Sequence, residues 1–116
     1  MVLPQDGCLL RIFIGESDRH EGHLLFEWIV TEARKRGLAG ATVLRGTMGF
    51  GANSKVIHTA KILRLSEDMP IVVEIVDTRD KLEAFLKDID GAIHAGLATL
   101  EKAEIRVYRS EGEKKK

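Results

Sequence analysis

The run Ile71-Val72-Val73-Glu74-Ile75-Val76 constrains the fold more than any other stretch of this chain. It is dominated by β-branched residues and fenced by Pro70 in front and Asp77-Thr78 behind, which predicts a short strand. Successive side chains of a strand point to opposite faces. Ile71, Val73 and Ile75 therefore look one way, Val72 and Val76 the other, and both faces are apolar. Leu9-Leu10-Arg11-Ile12-Phe13-Ile14 repeats the pattern, with Leu10, Ile12 and Ile14 on one face and Leu9 and Phe13 on the opposite one.

Helical periodicity fills the intervals. Asp18 and Glu21 are spaced as a capping box, and Leu24, Leu25, Trp28, Ile29 and Ala33 recur at helical spacing up to about Arg36. Gly37 suits the left-handed residue that follows a helix. Residues 41–48 read as a second strand, and the glycine-punctuated segment 46–55 reads as a flexible loop. Strand character returns around 58–65, before a turn at 66–70. After the strand at 71–76, Asp77 or Thr78 caps a second helix carrying Leu82, Phe85, Leu86, Ile89 and Ile93 on one face. Gly96 closes the link to a last strand at about 103–108. The order βαββαβ predicts an α+β, ferredoxin-like domain, a four-stranded antiparallel sheet with both helices on one face. One such domain takes up residues 1–116, with flexible ends at 1–7 and 110–116. Two helices cover one sheet face only, so the other is left apolar, and self-association is the simplest way to bury it.

Eighteen basic and eighteen acidic residues cancel, which removes the electrostatic case for nucleic acid or an anionic membrane. Lys114-Lys115-Lys116 reads as a solubilising tail. Cys8 is the single cysteine and cannot form an internal disulfide; a buried thiol is the simpler reading. No signal-peptide pattern or membrane-length apolar run occurs, so a reducing cytoplasm is expected. One Asn and one Gln beside many Glu, Lys and Arg is a bias met in heat-adapted proteins.

No motif names a nucleophile or a general base. His20 and His23 read as helix-start residues rather than metal ligands, and His94 as a cation near the end of the second helix. Gly46-Thr47-Met48-Gly49-Phe50-Gly51 offers unhindered backbone N–H groups, with Arg45, Lys55 and His58 nearby. That mixture suits a phosphate, although a plain hairpin connection fits the spacing equally well. Leu10-Arg11-Ile12-Phe13-Ile14-Gly15 looks like the first-strand motif of RNA-recognition domains, but residues 71–76 lack the stacking aromatics those domains need.

Gly40-Ala41-Thr42-Val43, Gly49-Phe50-Gly51 and Pro70-Ile71-Val72-Val73-Glu74-Ile75-Val76 together resemble the PII signal-transduction family. The closer resemblance, over about residues 8–109, is to its PII-like relatives long carried as a domain of unknown function. Residues 62–70 and 96–101 look like their signature segments. The resemblance implies a homotrimer that binds an adenine nucleotide (ADP, ATP or AMP) in clefts between subunits and requires no cofactor. It also implies that the loop after the second strand signals to a transporter or enzyme. It places Thr42 at the family's small hydroxyl position, and Gly49, Phe50 and Gly51 at the loop base near the phosphates. Thr99 and Glu101 fall on the turn before the last strand, Lys102 near the phosphate-binding lysine, and Arg106 and Arg109 near the C-terminal arginines. The family's glycine-rich turn and modified tyrosine have no counterpart. Two other readings are a metal-binding trimer drawing on His23, His58 and His94, and a small-molecule enzyme at the subunit cleft.

Overall fold

The two strands marked as apolar on both faces pair with each other at the centre of one sheet. The structure, a computed structural model, describes residues 3–51 and 68–111. Its strands are β1 (Asp6–Gly15), β2 (Arg19–His20), β3 (His23–Leu24), β4 (Thr42–Arg45), β5 (Pro70–Asp77) and β6 (Leu97–Glu104). The helices are α1 (Leu25–Lys35) and α2 (Arg79–Ile89). The main sheet has the order β4-β5-β1-β6 and every neighbouring pair is antiparallel. With β2 and β3 forming a small ribbon apart, this is the four-stranded ferredoxin-like arrangement.

Alternation along the central pair decides where the core lies. Leu10, Ile12 and Ile14 of β1 and Ile71, Val73 and Ile75 of β5 are buried in one cluster with Leu25, Ile29 and Ala33 of α1 and Leu82, Phe85 and Ile89 of α2. Burying each such aliphatic side chain contributes about 1.5–3 kcal/mol, so this face holds the fold together. The opposite face carries Phe13, Leu44 and Leu97, all exposed.

The helix ends are closed as their sequences dictate. At the end of α1 the Gly37 N–H donates to the Arg34 carbonyl and the Leu38 N–H to the Ala33 carbonyl, with Gly37 at φ 73°. This Schellman pattern needs a residue that tolerates the left-handed region. Thr78 caps α2, its hydroxyl accepting from the Lys81 N–H at 3.3 Å. Asp77 is fully buried and occupies both carboxyl oxygens: one accepts from the Thr78 N–H at 2.7 Å, the other from the Ala39 N–H at 2.9 Å.

Four expectations are corrected. Helix α1 begins at Leu25, not near Asp18. The Asp18 side chain accepts from the Gly15 N–H, and its carbonyl accepts from the Leu25 N–H. Between those anchors Glu21 (φ 51°) and Gly22 (φ 83°) turn the β2–β3 ribbon, as two-residue hairpins with left-handed centres do. His20 and His23 are accordingly cross-strand partners in that ribbon, and the His20 ring packs edge-on against Trp28 at 4.4 Å. The last strand is Leu97–Glu104 instead of 103–108. It starts at once after Gly96, where an added Cβ would sit 2.6 Å from the Phe13 carbonyl oxygen. His94 lies beyond α2, after the 3₁₀ turn Asp90–Ala92. The strand expected at 58–65 lies outside the described residues.

Asp77→Asn puts an N–H₂ where one of two backbone donors now points. We expect a loss of about 1–3 kcal/mol in the free energy of unfolding, read by urea denaturation; an unchanged midpoint would show that neither bond matters.

Candidate functional site

An open groove of about 680 Å³ lies at one end of the sheet. Its floor is the outward face of the central strands, Leu9 of β1 and Val76 of β5, which pair directly. One wall is the segment from Ala39 to Thr42, delivered there by the Gly37 turn that ends α1. The other wall is the end of β6 and the tail from Ala103 to Tyr108. Two bonds set the walls. Buried Asp77 fixes the Ala39 N–H, and the Tyr108 hydroxyl donates to the Ala39 carbonyl at 2.7 Å. The tail is held to the sheet by the Ile105 N–H, which donates to the Gln5 carbonyl at 2.7 Å.

Charge enters the groove in a defined pattern. Glu74 lines it from β5, and its carboxylate accepts from Arg11 Nε at 3.0 Å. Arg11 reaches on to Glu101 at 2.8 Å, so one guanidinium bridges carboxylates on the strands either side of its own. The Glu74 hydrogen bond raises the Arg11 pKa further above its ordinary value, and Glu101 adds to it against partial desolvation. Glu104 lines the groove and is bonded by the Gln5 amide. Arg106 sits 3.9 Å from Glu104 with its side chain largely in solvent. The groove thus has an apolar floor bordered by Glu74, backbone groups and the Thr42 hydroxyl along one wall, and Glu104, Arg106 and the Tyr108 hydroxyl on the other.

Of the residues singled out in the sequence, Thr42 and Arg106 meet in this groove. Arg45 ends β4 on the opposite face from Thr42 and pairs with Glu16 at 3.0 Å. Gly49 approaches the Pro70 ring, and Phe50 stands 72% exposed. Gly51 follows it in open space; none of these three lines the groove. Lys55 and His58 lie outside the described residues. Thr99 and Glu101 sit within β6, not on a turn before it, because the ten-residue β1 pairs with them opposite Arg11 and Leu9. Lys102 points to a second hollow with Asp6 and Arg79, and Arg109 lies in the exposed tail.

Sequence reasoning did not single out Glu74, Tyr108 or Arg11 as site residues. Glu74 and Arg11 were visible as lone charges inside apolar strands, and Tyr108 as the one tyrosine of the chain.

The model of the DUF190 family, described as uncharacterized ACR, matches residues 7–105. The chain belongs to that family. A UPF0166 protein of Aquifex aeolicus (strain VF5) is 42% identical over 97 residues, covering 84% of this chain and 90% of the relative. Among solved structures, CPII from Thiomonas intermedia K12 bound to ADP and bicarbonate aligns with a TM-score of 0.62 at 14% identity, covering 86% of this chain and 88% of CPII. A second structure of CPII, a nitrogen regulatory PII-like protein bound to ADP, AMP and bicarbonate, also gives 0.62, at 12% identity, covering 88% and 94%. This DUF190 chain therefore has the PII-like fold, as its sequence resemblance implies.

Proposed function

We propose that this chain is a PII-like regulatory protein that binds an adenine nucleotide in the groove between Leu9, Val76, the wall at Ala39 to Thr42 and the tail. The observation that carries the reading is the groove's construction. A flat apolar floor suits a purine, the Thr42 hydroxyl and Glu74 suit a sugar or amino group, and Arg106 suits a phosphate. CPII, of the same fold, has been solved with ADP and with AMP. Binding rather than catalysis fits the carboxylates that line the groove, since Glu74 and Glu104 are already engaged by Arg11 and Gln5. The loop after β4 then carries the signal to a transporter or enzyme, with nucleotide and target each biasing its conformation.

The open sheet face supports assembly into a homotrimer. Leu44, Val72, Phe13 and Leu97 lie in one cross-strand row on that face, and three of the four are exposed. Covering an apolar row gains more than the exposed ion pairs of Arg11 do, so hydrophobic burial drives the contact. The groove lies at one end of this same face, and a neighbouring copy packed on the face would complete it.

Calorimetry with ADP, ATP and AMP on the full chain should show saturable binding; no heat with any of them at millimolar concentration would overturn the reading. Light scattering should give three chains, and Val72→Lys should reduce the mass to one. An unchanged mass for Val72→Lys would remove the open face as the assembly surface.

A further inference from the structure

The two walls of the groove differ in how firmly they are built. On one side, Ala39 is locked: its N–H is bonded to Asp77, a carboxylate with no exposed surface that is itself tied to the start of α2. The Ala39 carbonyl is therefore presented in a fixed direction. On the other side, the chain leaves β6 at Glu104 and runs on without regular structure. It is pinned first at Ile105, whose N–H bonds Gln5 and whose side chain lies so close over Gly7 that an added Cβ there would meet its Cδ1 at 2.5 Å. It is pinned again at Tyr108, whose hydroxyl meets the fixed Ala39 carbonyl at 2.7 Å. Between these two pins, Arg106 and Val107 run along the groove.

We infer that Tyr108 is a latch: its hydroxyl bond to Ala39 joins the two walls, positions Arg106 over the groove, and couples the order of the tail to whatever fills the site. The asymmetry is what makes it a latch. A rigid acceptor faces a donor on irregular chain, so breaking the bond frees the tail and leaves the sheet intact. An occupant that touches both walls is stabilised by the closed latch, and by linkage it must hold the latch closed to the same degree. The nucleotide arm of this inference rests on the function proposed above; the latch itself does not.

Hydrogen–deuterium exchange on the full chain tests both. One exposed hydroxyl-to-carbonyl bond is lost in Tyr108→Phe, so exchange over residues 105–110 should rise about fivefold, with only a small fall in the urea midpoint. In the wild-type chain, ADP should slow exchange over the same residues. Tyr108→Phe should bind ADP about fivefold more weakly, and Tyr108→Ala more weakly still because the ring is lost as well. Equal exchange in Tyr108→Phe and wild type would overturn the latch without reference to any ligand. A loosened tail with unchanged ADP affinity would overturn the coupling. If wild type binds no ADP, the proposed function fails, whereas faster exchange in unliganded Tyr108→Phe would still uphold the latch.

Discussion

Everything in this molecule is referred to the ladder between β1 and β5, which runs from Cys8 opposite Asp77 to Gly15 opposite Pro70. Both strands carry apolar residues on both faces, so they belong at the centre of the sheet, where each finds a neighbour on either side. Their register decides which set of side chains meets the helices. A slip of β1 by one residue would turn Leu10 and Ile12 out to solvent and bring Arg11 under the helices, and a slip of β5 would do the same to Val73, Ile75 and Glu74. Burying those two charges in an apolar core would cost more than any local gain, and the observed register avoids it.

The same ladder builds the candidate site. Its far end supplies the Leu9–Val76 floor, and its last residue, Asp77, holds the Ala39 wall. Its midpoint places Glu74 so that one carboxylate both lines the groove and bonds Arg11 on the open face. The groove is therefore one end of the open face. Glu74 thus connects the groove to the Arg11–Glu101 pair through two contacts.

Much of the fold was legible in residue pattern. The strand at 71–76, the α2 face of Leu82, Phe85 and Ile89, the Thr78 cap and the Gly37 stop each rest on local chemistry that the tertiary structure did not override. Strand β6 was misplaced because Leu-Ala-Thr-Leu-Glu-Lys-Ala-Glu is made mostly of helix-formers, and only pairing along β1 makes it extend. The start of α1 was misplaced because Asp18 and Glu21 mimic a capping box, while Gly22 and the anchors at Gly15 and Leu25 shape a ribbon instead. Of the groove lining, Thr42 and Arg106 are positions that the family resemblance implies. Thr99 and Glu101 moved to the middle of a strand when β6 shifted, taking them off the turn that the resemblance implies.

What the sequence determined by itself is the alternation of β1 and β5, and with it a sheet having one face for helices and one left apolar. That follows from side-chain period alone, which needs no knowledge of neighbours. The tertiary structure decided what meets what. Tyr108 and Ala39 are 69 residues apart, and Arg11 and Glu101 are 90 apart. No local rule relates residues at such separations; only the strand order β4-β5-β1-β6 brings them within reach. The groove and its latch belong to that second class, because each is assembled from segments that have nothing in common except the end of the sheet on which they arrive.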